Sequence, residues 1–379
     1  MTDCSQVRRR IGDSDWVKNY KYGCIDRSLV TKYILKPYWD WAINFFPATI
    51  APNAITMIGL FSVAIPSFII ILLTFMQFKV PAYLFFISGF SVFAYQTLDN
   101  LDGRQARRTK TSSALGEITD HCVDSFTTTI IGVSTLLGLG LDIPYAIPLT
   151  ILPQITFILC AIEEYFTGSL YLGVVNAPTE GLLMISGLHI ALAFGFELGN
   201  PNLYLFWFIL AFSAFTMITS LVNVYLFKDS DFRTLGRCIG HFAVRMAVYP
   251  ILLLLIHLSE PVGLDHVLIF LISMFLTSFQ LLDVLIAVVT KTQLEVSMVT
   301  PMWLLFGGFA FVQFLSPNHY NSTVLFVLAL VMTLRFVSLA SAVVKIFCQD
   351  LGIRFMSMSR AQKAIAVEQV YGAVSNNAC

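Results

Sequence analysis

Apolar residues run along this chain in long blocks, separated by short polar or Gly/Pro-rich breaks, and the blocks repeatedly approach the roughly 20 residues that a helix needs to cross a bilayer. Ten spans are predicted, near residues 55–75, 83–101, 115–137, 147–164, 180–196, 205–225, 239–258, 267–289, 299–315 and 324–347. Ahead of them the pattern changes. Leu29, Val30, Tyr33, Ile34, Tyr38, Trp41, Ala42 and Phe45 recur near helical spacing, with Lys32, Lys36 and Asp40 between them. That spacing suggests an amphipathic helix lying in the membrane interface, with a connector packed on other helices as the plainer alternative. No internal repeat is evident and no loop is long enough for a second domain. The expected fold is an all-α polytopic integral membrane protein. Its parts would be an N-terminal segment over 1–50 with the interfacial helix, a membrane domain over 51–350, and a tail over 351–379.

Composition supports the membrane assignment. Hydrophobic residues make up 57% of the chain and charged residues only 12%, too apolar for an ordinary soluble domain. Arg8, Arg9, Arg10, Lys18, Lys21 and Arg27 precede the first span; Arg104, Arg107, Arg108, Lys110, Arg233, Arg237 and Lys291 fall in same-side loops, against Lys79 opposite. This bias predicts that both termini are cytoplasmic. With a formal net charge of 0 and an apolar, membrane-type composition, no nucleic-acid partner is expected. The 7 cysteines are scattered and suggest neither a disulfide framework nor a zinc site.

Against this apolar background, four carboxylates stand at helical intervals on the cytoplasmic side: Asp99, Asp102, Asp120 and Asp124. Carboxylates are costly in a bilayer and face a wet cavity, a metal or a cationic partner. Two antiparallel helices joined by a short polar turn would set the Asp99/Asp102 stripe against the Asp120/Asp124 stripe. Hard oxygen ligands from both suit Mg²⁺ or Mn²⁺, in a two-metal arrangement with ions about 3.5–4 Å apart. Gly103, Ala106 and Gly116 leave room for a phosphorylated ligand, and Arg107 offers a bidentate phosphate contact. Pairing with Arg104, Arg107 and Arg108 would account for one acid, but not for four with small residues at matching intervals.

His121 follows Asp120 directly, and an imidazole titrating near neutrality makes it the candidate general base. Glu117, one turn earlier, either orients it or stabilises the helix N-terminus. Glu163 and Glu164 end the fourth span, as a polar helix end or as an attraction for a cationic group. Arg245 and Asp283, inside later spans, call for interhelical pairing or lipid-headgroup contact.

The spacing Asp99-x2-Asp102-Gly103-x2-Ala106-Arg107-x8-Gly116-x3-Asp120-x3-Asp124 resembles the signature of the CDP-alcohol phosphotransferase family at every fixed position. Tyr22, Asp26-Arg27-Ser28-Leu29, Ala51-Pro52-Asn53, Tyr95-Gln96-Thr97 and Pro178-Thr179-Glu180-Gly181 narrow the likeness to eukaryotic choline/ethanolamine phosphotransferases, most clearly over residues 20–185. The resemblance implies that fold and transfer of phosphocholine or phosphoethanolamine from CDP-choline or CDP-ethanolamine to diacylglycerol, yielding phosphatidylcholine or phosphatidylethanolamine and CMP. It implies that Asp99, Asp102, Asp120 and Asp124 bind Mg²⁺ or Mn²⁺, and that Gly103, Ala106, Arg107 and Asn53 belong to the nucleotide site. His121 would be the base, assisted by Glu180. An endoplasmic reticulum or related location and a homodimer are implied as well. Cys122-Val123 and Asn100 depart from the usual branch pattern. Another acceptor, such as inositol, and a cation transporter are the competing readings.

Overall fold

The apolar blocks become helices because a chain in lipid satisfies its backbone N–H and C=O groups within each segment. In a computed structural model, the described residues are 4–12, 15–18, 20–197, 201–227, 231–258, 264–295, 300–315 and 321–372. The chain begins with α1 (Cys4–Ile11) and then, in the interfacial segment, α2 (Lys36–Ala42). The helices over the first five predicted spans are α3 (Pro52–Phe75), α4 (Ala82–Arg108), α5 (Ala114–Gly138), α6 (Ile143–Thr167) and α7 (Leu182–Ala193). They are followed by α8 (Pro201–Leu226), α9 (Phe232–Met246), α10 (Tyr249–Leu258), α11 (Leu264–Thr290), α12 (Thr300–Leu315) and α13 (Asn321–Leu351). The predicted span over 239–258 is split into α9 and α10, because Pro250 has no amide to donate and its ring opposes the carbonyl of Met246. The predicted span over 299–315 starts on a residue outside the described set, as does the tail beyond 372.

Among the described residues, six helical stretches are long and apolar enough to cross a membrane: Pro52–Phe75, Ile143–Thr167, Tyr204–Leu226, Phe232–Leu254, Asp265–Thr290 and Ser322–Leu351. The helices α4 and α5 are of similar length but carry the acidic motif. Burial separates the inner helix from an outer one: 89% of the apolar window of α11 lies inside the protein, against 11% for the window in α8. The central α11 packs on α5, α6 and α13, while α3 packs on α4 and α5, and α4 on α7. Ile130, Ile147, Ile158, Phe279, Leu282 and Phe347 belong to the one large core cluster that joins α5, α6, α11 and α13.

Polar ties run through this core. Ser125 meets Ser278 at 2.9 Å, and Thr277 donates to Gln154 Oε1 at 2.6 Å. The fully buried Arg245 donates to Asp283 at 2.7 Å, fulfilling the expected interhelical pairing. Arg10 of α1 pairs with the same carboxylate and donates to the Asp283 carbonyl at 3.0 Å, while Arg8 pairs with Asp350. The N-terminal helix is therefore fastened to the far half of the bundle.

The interfacial segment is helical from Thr31 to Phe45, as a π turn, α2 and a 3₁₀ turn in succession. Leu35, Trp39, Ala42 and Ile43 pack on Ile55 and Leu101, while Tyr33, Ile34, Trp41 and Phe45 stay exposed. One apolar face is thus packed and another is left outward. A parallel strand pair, β1 (Cys24–Asp26) and β2 (Leu170–Leu172), adds to the all-α pattern, with Cys24 opposite Leu170. It joins the N-terminal segment to the chain just after α6.

Candidate active site

The site is built where α4 ends and α5 begins. Thr109 closes α4, and the Ser113 hydroxyl accepts from the Gly116 amide at 3.1 Å to cap α5. The two helices therefore turn back on each other across a few residues, and their acidic stripes converge. Ligand oxygens of Asp99, Asp120 and Asp124 all lie within 4.8 Å of one another. Oδ1 of Asp99 and Oδ1 of Asp120 are buried without a hydrogen-bond partner. Orphaned oxygens in such a group call for a cation. Three hard oxygen donors fit Mg²⁺ or Mn²⁺.

Asp102 and Asp124 are each held by a neighbour. The Thr56 hydroxyl of α3 donates to Asp102, and the Tyr95 phenol, four residues before Asp99 on α4, donates to Asp124. Thr127 in turn donates to the Tyr95 oxygen at 2.9 Å. Such contacts fix the direction of a carboxylate that would bind metal. The arginines are engaged elsewhere: Arg104 pairs with Asp40 at 2.8 Å, and Arg108 donates to the carbonyls of Ile43 and Phe46 at 2.8 and 2.5 Å. Arg104 and Arg108 are thus drawn toward the interfacial segment, and among the described residues no ion pair joins Arg107 to a motif acid.

Gly103, Ala106 and Arg107 follow along the last turns of α4, with the Arg107 side chain exposed. A Cβ on Gly103 would lie 3.3 Å from Arg107 Nη1, so the bare glycine gives the guanidinium room beside the helix. Asn53, in the first turn of α3, is buried, and its Oδ1 sits 3.7 Å from where a Gly116 Cβ would be. The nucleotide residues expected from the sequence are thus gathered around the same helix ends as the acids.

His121 is 4% exposed, and its Nδ1 has no partner. Its ring packs edge-on to Tyr22 at 6.1 Å and to Phe157 at 5.9 Å. The carboxylates grouped with it are Glu117 and Glu164, whose ligand atoms lie within 4.8 Å of one another and of the imidazole. Nearby, outside the helices, burial followed by the Glu117 carboxylate pushes the Tyr20 phenol far above its ordinary range. Glu180 has other partners: Ser28 Oγ donates to its Oε1 at 2.5 Å and the Asn176 amide to its Oε2 at 2.8 Å. Gln96 of α4 donates to the carbonyls of Pro178 and Thr179, both at 2.8 Å, and so docks the Glu180 turn on the helix that carries Asp99. Glu163 accepts from Asn223 at 2.8 Å, a packing role between α6 and α8.

Sequence reasoning missed Thr56 and Phe157. Thr56 stands three residues after Asn53 on α3, a helical interval that offered a signal. Phe157 had none, because only the packing of α6 on α5 brings it to His121.

Residues 49–222 match the family model described as CDP-alcohol phosphatidyltransferase. The chain is 40% identical over 179 residues to an uncharacterized CDP-alcohol phosphatidyltransferase class-I family protein of Schizosaccharomyces pombe, covering 45% of each chain. It is 37% identical over 177 residues to choline/ethanolaminephosphotransferase 1 of Saccharomyces cerevisiae, covering 45% of this chain and 44% of that one. It is also 34% identical over 177 residues to CDP-diacylglycerol–serine O-phosphatidyltransferase of Encephalitozoon cuniculi, covering 46% of each. The chain spans less than half the length of these curated relatives.

Proposed function

We propose, on the match of residues 49–222 to the family model described as CDP-alcohol phosphatidyltransferase, that the protein transfers phosphocholine or phosphoethanolamine from CDP-choline or CDP-ethanolamine to diacylglycerol and releases CMP. The observation that carries this reading is the convergence of Asp99, Asp120 and Asp124 from α4 and α5, two of them with buried, unpartnered oxygens. In the proposal these three and Asp102 hold Mg²⁺ or Mn²⁺ against the pyrophosphate. Divalent cations bound there would neutralise charge on the transferred phosphoryl group and on departing CMP.

The protein's own groups do the rest. Arg107 pairs with a phosphate of the nucleotide, and Asn53, Gly103 and Ala106 line the surface on which it rests. Neutral His121 takes the proton of the acceptor hydroxyl as its oxygen attacks phosphorus, with Glu117, one turn away, orienting the imidazole. Glu180 supports the base indirectly, by tying Ser28 to the turn at Asn176 and so steadying the segment that lays Tyr22 against His121. An apolar groove of about 480 Å³ lined by Tyr38, Phe45, Phe90, Phe93 and Leu98 lies beside Thr97 and Leu101, near the acids on α4, and suits acyl chains. A multi-pass domain over 51–350 in the endoplasmic reticulum, a site open to the cytoplasm and a homodimer complete the proposal.

The test is purified protein in diacylglycerol liposomes, supplied with CDP-choline, with CDP-ethanolamine, or with CDP-diacylglycerol plus serine or inositol. Metal-dependent CMP release from the first two, abolished by Asp120→Asn in a folded protein, is the expected result. Release only from CDP-diacylglycerol mixtures would replace the proposed donor, and release from none would overturn the enzyme reading.

A further inference from the structure

We propose that Glu117, His121 and Glu164 form a second metal site, selective for a borderline cation of the Zn²⁺ class, that blocks the transfer reaction when it is filled. Glu117 and His121 are four residues apart on α5, so both side chains leave the same helix face, and Glu164 meets them from the last turn of α6. One ligand atom from each lies within 4.8 Å of the others. All three residues are more than nine-tenths buried, at 8%, 4% and 2% exposure. His121 Nδ1 and Glu164 Oε2 lack a hydrogen-bond partner, and the Glu117 oxygens, with the Tyr20 phenol nearby, make no hydrogen bond of normal geometry. Lys291, exposed just past α11, is the cation that faces the two carboxylates, and no ion pair joins it to either among the described residues.

Buried acids are ordinarily paired or coordinate a metal, and each of these places a carboxylate oxygen within 4.8 Å of an imidazole nitrogen. Imidazole and carboxylate are both ligands that zinc accepts, and three protein ligands leave a fourth position for water or another ligand. The Asp99/Asp120/Asp124 group offers oxygen alone and suits harder ions. Neighbouring faces of the same turns of α5 thus carry two sites of different preference. The inhibitory part of the proposal rests on His121 as the base: a metal on the imidazole occupies the lone pair that would accept the hydroxyl proton. The metal-binding part does not rest on it.

The experiment uses the full chain in detergent or liposomes, with Mg²⁺ kept saturating so that the all-oxygen group is occupied. Co²⁺ is titrated as the spectroscopic probe, and Zn²⁺ is titrated into the CMP-release assay. The expected result is the intense visible absorption of low-coordinate cobalt, displaced by Zn²⁺ and lost in Glu164→Gln. In the assay, the Zn²⁺ concentration for half-inhibition should rise more than about tenfold in Glu164→Gln, each protein being normalised to its zinc-free rate; loss of even an outer partner costs a metal site about that much. Absence of the cobalt band in the unmodified protein, or an unchanged band and zinc midpoint in Glu164→Gln, would overturn the site. If Glu164→Gln does not fold, the band of the unmodified protein and its loss in Glu117→Gln decide the question. If no donor yields CMP, the catalytic reading fails while the cobalt spectra still decide the metal site.

Discussion

Replacing Tyr95 by Phe removes one oxygen atom and leaves the ring, which makes it a sharp probe of the acidic group. The phenol donates to Asp124 and accepts from Thr127 at 2.9 Å, and the residue is 2% exposed, so bulk water cannot take the place of the lost hydroxyl. A hydrogen bond to a charged group contributes about 1.5–3 kcal/mol. At about 1.4 kcal/mol per decade, that corresponds to roughly 10- to 100-fold. The range coincides with the cost, about 10- to 100-fold in metal affinity, of removing a group that orients a metal ligand. Tyr95→Phe is therefore expected to raise the half-saturating Mn²⁺ concentration for CMP release by that factor, with the rate at saturating Mn²⁺ much less affected. Metal titrations of both proteins at fixed CDP-ethanolamine measure it, with thermal unfolding in the absence of metal as the control for folding. A metal dependence unchanged within about twofold in a folded Tyr95→Phe protein would show that Asp124 is not a metal ligand oriented by this contact.

Three further outcomes are expected. His121→Gln should lower kcat by about 100-fold or more, the usual contribution of general-base catalysis, while binding of the CDP-alcohol by calorimetry changes little; full activity would remove His121 as the base. Asp283→Ala should destabilise the bundle by about 3–5 kcal/mol, because Arg245 and Arg10 lose their shared carboxylate inside the core, and a melting temperature within error of the parent would contradict the buried pairing. Gly89→Ala should cost about 1–3 kcal/mol by overpacking, since its Cβ would lie 2.7 Å from Ile190 Cγ1 and 2.9 Å from the Ser186 carbonyl oxygen, forcing α4 and α7 apart. An unchanged unfolding midpoint in detergent would place that helix contact in doubt.

Among the described residues the predicted spans correspond to helices because bilayer-length apolar blocks leave the backbone no other way to satisfy itself, and the break within the predicted span over 239–258 falls beside Pro250. The acidic group was legible for a related reason. Spacings of three and four residues on two helices joined by a short turn leave little freedom in where the side chains point, and Asp99, Asp120 and Asp124 do converge. Asp102, at the same kind of interval, is drawn to Thr56 of α3, a contact that depends on a third helix. Glu180 shows the same limit: its carboxylate is taken up by Ser28 and Asn176 through a fold-back of the N-terminal segment, registered by the strand pairing of Cys24 with Leu170.

What the sequence determined by itself was local and periodic: which segments are helical, which face of each carries polar groups, and that acids on neighbouring helices can meet. Only the tertiary structure decided that Glu164 of α6 joins Glu117 and His121 of α5, that Tyr95 and Thr56 hold two of the motif acids, and that Arg10 and Arg245 share Asp283. The difference has a physical cause. Helical periodicity fixes direction within one element, whereas contacts between elements depend on how whole helices pack. In an apolar bundle many side-chain sets can fill the same contact surface, so no local interval announces which one does.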